Sequence, residues 1–194
     1  MNKIRMIGIG ATALVGKDTL FKVLDSIYPN TFERVGLADL LKHEMDDFCK
    51  KSYGISAFTK DPKEKELIRP IFVAHGKIKR MQHHGTYWTG LVQKRVDDIV
   101  CDGLIPVCTD IRYAIFPEDE IFWLKNRNKG VYIHVNRFNA DGSKIEPPNS
   151  DEQQQEKILE KYADFRLNWM TSNNFDYLCD IVKIQLSSLL KLIK

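Results

Sequence analysis

The chain opens on an apolar run, Ile4 to Ile9, followed by glycines at 8, 10 and 16 and then by Lys17 to Ile27, whose apolar positions recur at helical spacing until Tyr28-Pro29-Asn30. This predicts a short buried strand, a tight glycine loop and an amphipathic helix. Phe32 to Leu37 predicts a second strand, and Asp39 opens a helix with Leu40, Leu41, Met45 and Phe48 on one face, ending near Tyr53-Gly54. Pro62 suits a helix start in the charged stretch Lys60 to Lys65, and Leu67 to Met81 continues it, with a kink expected at Pro70. Tyr87 to Val100 is again helical by spacing. Leu104 to Thr109 predicts a central parallel strand with Asp110 at its carboxyl edge. Pro117 to Lys125 predicts a helix, Val131 to Val135 a fourth strand and Asn136 to Ser150 a polar loop long enough to act as a flap. Glu152 to Tyr162 predicts a helix, Phe165 to Trp169 a last strand and Asn174 to Ile193 a C-terminal helix.

Strands alternating with helices throughout predict an α/β fold, a five-stranded parallel sheet flanked by helices on both faces. At 194 residues and 43% hydrophobic, the chain suits one domain, 1–194, with a core that needs no staples. The net charge of +3 is too small to announce a partner of polymeric nucleic acid and fits a small anionic ligand better. Four scattered cysteines without a C-x-x-C pair point to a reducing compartment. Lys3, Arg5 and the run from Met6 to Val15, with Ala11 and Ala13, imitate a short signal peptide. Its glycines and its passage into Lys17-Asp18 argue against that, and no later segment suits a membrane.

The chemistry concentrates at the glycine loop. Glycines let successive backbone N–H groups turn inward around phosphates, and a lysine at the following helix start adds a point charge where the helix dipole already favours an anion. Gly16-Lys17 supplies both. Against the pattern G-x-x-x-x-G-K-[ST], Ala11 stands where the first glycine is expected, with Gly10 one place earlier, and Asp18 replaces the usual magnesium-contacting hydroxyl, leaving Thr19 as the nearest. A strand-to-helix turn with a surface lysine is the competing account of the same segment.

Gly16-Lys17-Asp18-Thr19 resembles the phosphate loop of the phage deoxynucleoside monophosphate kinases, in which aspartate after the lysine is common. Leu37-Ala38-Asp39-Leu40-Leu41-Lys42, Tyr87-Trp88, Thr109-Asp110-Ile111-Arg112 as the family's D-x-R motif, and Ile133-His134-Val135 with Arg137 before the lid resemble its further landmarks in order. The resemblance implies a P-loop NTPase fold and transfer of the γ-phosphate of ATP, with Mg2+, to a (deoxy)nucleoside monophosphate. It implies a cytoplasmic location, the host's if the chain is phage-encoded. A kinase of another small acceptor, dephospho-CoA kinase-like, and a non-catalytic ATP-binding regulatory protein stay open, as does a homodimer.

Phosphoryl transfer asks the protein to align two anions and exclude water, so cations are the residues to find. Gly10, Ala11, Val15, Gly16, Lys17, Asp18 and Thr19 are expected to cradle ATP, with Lys17 on the β- and γ-phosphates and Arg137 closing from the lid-like loop about 136–150. Asp18, Thr19 and Asp110 are the candidate magnesium ligands, with a helix cap as the alternative for Asp110. Lys17, Asp110 and Arg112 form the expected catalytic set, Arg112 gripping phosphate bidentately unless it pairs with Glu118 or Asp119. Within an acceptor-binding helical region about 38–100, Lys42, Arg69, Arg80 and Trp88 are the expected substrate contacts together with Arg112. Tyr87, Trp88 and Trp123 could stack a base, but aromatic residues at helical spacing are more often core. His75, His83 and His84 lack partners at metal-ligand spacing.

Overall fold

The computed structural model describes residues 4–10, 15–147 and 150–193. Five parallel strands form one sheet in the order β2-β3-β1-β4-β5. They are β1 (Ile7–Gly10), β2 (Phe32–Val35), β3 (Ile105–Ile111), β4 (Val131–Phe138) and β5 (Phe165–Met170). The helices are α1 (Lys17–Ile27), α2 (Leu37–Tyr53), α3 (Pro62–Gln82), α4 (Thr86–Cys101), the short α5 (Glu120–Phe122) running into a π-helical turn (Trp123–Arg127), α6 (Ser150–Glu160), α7 (Phe175–Gln185) and α8 (Ser187–Ile193).

The strand alternation sorts residues into two cores. Ile7 and Ile9 of β1, Val107 of β3, Ile133 and Val135 of β4 and Leu167 of β5 face Leu20, Val23 and Leu24 of α1 and the apolar sides of α7 and α8. On the other face Met6, Cys108, Ile111 and Tyr132 meet Trp88, Val92, Val96 and Ile99 of α4, Trp123 and Leu124 of the π turn, and Leu159 of α6. Each fully buried aliphatic side chain contributes about 1.5–3 kcal/mol, so α1 is held chiefly by Leu20, Val23 and Leu24. The outer strand β5 is shielded by Gln185, whose amide exchanges two hydrogen bonds with the Asn168 backbone at 2.7 and 2.8 Å.

Several boundaries differ from expectation for identifiable reasons. Helix α2 starts at Leu37 rather than Asp39 because its first amides are capped from β3. The helix expected from Pro117 begins only at Glu120, since the Asp119 carboxylate accepts from the amides of Ile115, Phe116 and Glu120 and holds the preceding turn. Strand β4 runs to Phe138, paired residue by residue with β5, so Asn136 and Arg137 belong to the sheet and not to a loop. Beyond it, Phe138 bridges Lys144 and Asn139 to Ser143 closes a tight turn, so the first half of the expected flap is a compact hairpin. The C-terminal helix is divided at the fully buried Leu186.

In this strand order β1 lies between β3 and β4, the point where successive connections leave in opposite directions and where open α/β sheets form a crevice at the strands' carboxyl ends. Opposite Gly8 and Gly10, β3 carries one extra residue: Gly8 pairs with Cys108 but Gly10 with Ile111. Such a bulge re-aims side chains at a strand end, here Thr109 and Asp110.

Candidate active site

The loop from β1 to α1 is shaped by close approaches at both ends. A Cβ on Gly10 would lie 2.4 Å from the Ile111 carbonyl oxygen and 2.5 Å from the Tyr132 hydroxyl, so only glycine fits. Gly16 has φ of 91°, in the left-handed region, and the Trp169 ring lies where its Cβ would point. The Trp169 indole N–H donates to the Val15 carbonyl at 2.9 Å, clamping the loop's exit from β5. Ala11 lies outside the described residues. No side chain among the described residues caps α1, which leaves the amides of its first turn for a ligand, at the positive end of the helix dipole.

Lys17, the first residue of that helix, is 9% exposed. Burial, and secondarily the Arg112 guanidinium, lower its pKa to about 8 against the pull of Glu152, Asp110 and Asp18. A buried ammonium held beside a second cation favours a polyanion between them. Asp18, the next residue, accepts from the Thr109 hydroxyl at 3.2 Å and from Arg34 Nε at 3.3 Å. Arg34 Nη1 also donates to Asp39 at 2.6 Å, and Lys42 Nζ lies 3.6 Å from the same carboxylate. The expected acceptor contact Lys42 therefore sits in a chain of alternating charges running from α1 to α2. Arg34 was not among the sequence candidates. Its place near the carboxyl end of a parallel strand was the available signal.

Asp110, a candidate magnesium ligand with a helix cap as the alternative, makes the contacts of a cap. Its two carboxylate oxygens accept from the amides of Leu37 at 3.1 Å and Ala38 at 2.7 Å, and the Cys108 thiol donates to it at 3.2 Å. The side chain is buried and acts as the N-terminal cap of α2, supplied from 73 residues away. Arg112 is half-buried, and no carboxylate among the described residues lies within 4 Å of its guanidinium, so the expected ion pair with Glu118 or Asp119 does not form. Its backbone and that of Tyr113 donate instead to the Glu120 carboxylate. Burial, with the neighbouring Asp119 adding to it, pushes Glu120 up to about 8.

The remaining candidates separate. Arg80 is 6% exposed, its guanidinium carbon 3.1 Å over the Tyr113 ring and its Nε without a hydrogen-bond partner. Arg69 is exposed on the same helix. Eleven positions along the helix place it about 16 Å from Arg80 along the axis, so a single phosphate is not shared by both. Trp88 is a packing residue: it is 6% exposed, donates its indole N–H to the Gly76 carbonyl at 3.4 Å and makes edge contacts with His75 and Tyr87. His75 bonds Glu44 at 3.0 Å. Arg137 donates Nε to the Thr171 hydroxyl at 3.0 Å and lines, with Val15, Gly16, Thr19, Trp169 and Leu178, a cleft at the start of α1. Beside Gly10, the fully buried His134 is driven down to about 4 by burial, so its 3.9 Å approach to Glu156 is that of a neutral imidazole; Glu156 pairs with Lys144 of the hairpin at 2.9 Å.

A parallel sheet in this order, with glycines between its central strand and a helix that opens on lysine, has the architecture of the P-loop NTPase fold. Among solved structures it is similar to dephospho-CoA kinase from Campylobacter jejuni, with a TM-score of 0.51 over 95% of this chain and 98% of that one at 14% identity. No family model and no curated protein matches the sequence. No helix among the described residues is long and apolar enough to cross a membrane.

Proposed function

We propose that the chain is an ATP-dependent kinase that phosphorylates a (deoxy)nucleoside monophosphate. The observation that carries this is the buried Lys17 at the start of α1, where no side chain among the described residues caps the helix and where the Arg112 charge helps to lower the lysine's pKa. The sequence resemblance to the phage nucleotide kinases supports the acceptor. An oxygen of the acceptor phosphate attacks the γ-phosphorus of ATP, the bond to the β,γ-bridging oxygen breaks, and the electron pair leaves with ADP. Lys17 and the α1 amides hold the β- and γ-phosphates, Arg112 neutralises charge on the transferring group, and Arg137 with Trp169 borders the space for the nucleoside of ATP.

Asp18 and Thr19 bring carboxylate and hydroxyl oxygen to the phosphate end of this site, a donor set that fits magnesium, which takes its other ligands from phosphate and water. Bound there with ATP, magnesium would neutralise phosphate charge. Asp110 is assigned to fixing α2, the helix that carries Lys42. Arg80 is the acceptor-side cation, being buried with an unpartnered Nε beside Tyr113.

A coupled assay with ATP and magnesium against the four deoxynucleoside monophosphates, the ribonucleotides and dephospho-CoA tests this. Turnover of at least one nucleoside monophosphate is expected. Turnover of dephospho-CoA alone selects the second reading, favoured by the structural likeness, in which the acceptor group is a hydroxyl. ATP binding without turnover of any acceptor selects a regulatory protein.

The lowered pKa of Lys17 gives a further expectation. Near pH 8 the free protein holds Lys17 partly neutral, and a bound triphosphate favours its charged form. ATP binding at pH 8–9 should therefore take up protons, and below pH 7 this uptake should vanish because the ammonium is already formed. Calorimetry in buffers of different ionisation enthalpy measures it, and uptake independent of pH contradicts the assignment.

A further inference from the structure

Strand β3 ends at Ile111, which pairs with Gly10 in the sheet. The amides of the next two residues, Arg112 and Tyr113, turn to a side chain for their acceptor. One carboxyl serves both: Glu120, 5% exposed at the start of α5, accepts from Arg112 and, at 3.1 Å, from Tyr113. The Tyr113 carbonyl in turn accepts from the Ile121 amide at 3.3 Å, so Tyr113 is held on both sides of its backbone. Glu120 is itself fixed, its amide donating to the fully buried Asp119 carboxylate at 3.1 Å.

The same segment seats the end of α3. The Arg80 guanidinium lies over the Tyr113 ring at 3.1 Å, and a cation buried against a ring face is held more strongly than an exposed one. Beyond Arg80, Gly85 closes the turn after α3 by donating its amide to the Arg80 carbonyl at 2.9 Å. A Cβ on Gly85 would lie 3.1 Å from Asp119 Cα, so this turn packs directly on the residue before Glu120. The end of α3 therefore meets the segment from Tyr113 to Glu120 at two points, Arg80 on Tyr113 and Gly85 on Asp119. Glu120 ties that segment to the carboxyl end of β3. A shift of its carboxyl would reach one cation through a backbone amide and the other through an aromatic ring.

We infer that Glu120 is a positioning residue for the phosphate crevice, setting Arg112 through its backbone amide and Arg80 through the Tyr113 ring. The role rests on the kinase reading, which is what gives these two cations their work. Burial, with Asp119 beside it, favours the neutral acid of Glu120, so glutamine, neutral and with the same acceptor oxygen, is the conservative replacement. Steady-state kinetics with ATP and magnesium use the acceptor of the screen above, nucleoside monophosphate or dephospho-CoA, that the parent turns over best. Glu120→Ala should lower kcat by about 10–100-fold and raise acceptor KM by about 10-fold, while ATP KM changes little. Glu120→Gln should recover most of both. Tyr113→Leu, at a half-buried position beyond the sheet, should raise acceptor KM by about 5-fold or more, and this arm stands even if Glu120→Ala fails to fold. A residue needed only for folding would reduce the active fraction, so that kcat falls while both KM values stay. That pattern overturns the inference, as does an unchanged acceptor KM in Tyr113→Leu or a Glu120→Gln variant no better than alanine. A parent that phosphorylates no acceptor in the screen overturns the kinase reading and this role with it, a failure read in the parent and not in the variants.

Discussion

Lys17→Ala should lower kcat by roughly 10²–10³, the loss seen when one preorganised charge on a developing oxyanion is removed, while the folded state persists. The two effects separate because Lys17 is a burden on the fold before ATP arrives. Its ammonium is buried, feels the Arg112 charge and has its pKa lowered to about 8, all of which mark the charged form as disfavoured in the free protein. Its unfolded value is near 10.5, so the unfolded chain holds more protons between pH 8 and 10.5, and stability from this group rises with pH across that window. Alanine should remove that slope along with catalysis. Thermal melts at pH 7 and pH 9.5, run beside initial rates, check both parts. Retained turnover would remove Lys17 from the site, and a collapsed melt would make it a structural residue.

What was legible in the sequence depended on how local its cause was. Helix α1 starts at Lys17 and ends at Ile27 as expected, because a left-handed glycine precedes it and Tyr28-Pro29 follows it in the chain itself. The strand cores were legible for the same reason, since apolar runs register burial directly. The start of α2 was not, because its cap is a carboxylate on β3, seventy-three positions away. The same gap hid Trp169, whose clamp on Val15 and Gly16 crosses 154 residues, and Arg34, whose partners Asp18 and Asp39 come from two helices. Trp88 shows the converse. An aromatic side chain near a proposed substrate channel has the same local pattern whether it faces the channel or the core, and only its hydrogen bond to Gly76 and its burial decide. Charges on helices were the least legible, since helical spacing gives angle but not distance: Arg69 and Arg80 share a side of α3 yet lie three turns apart.

The cap on α2 carries the other large effect, because it joins fold to site. Asp110→Ala leaves two buried or half-buried amides and a thiol without their acceptor, and each unsatisfied amide costs about 1–3 kcal/mol. A loss of about 3 kcal/mol is expected, which for a chain of this length lowers the melting midpoint by about 6–12 °C. Asp110→Asn keeps one carbonyl acceptor and should fall between. The consequence reaches the crevice, since α2 carries Asp39 and Lys42, the distal half of the charge chain from Asp18 through Arg34. If the carboxylate's work is to fix that helix, the asparagine variant binds the acceptor more weakly while its magnesium requirement stays that of the parent. If it held the metal, half-saturation by magnesium would rise with little change in acceptor KM. Chemical denaturation and a two-way titration of magnesium and acceptor distinguish these outcomes, and the amide bonds to Leu37 and Ala38 favour the first.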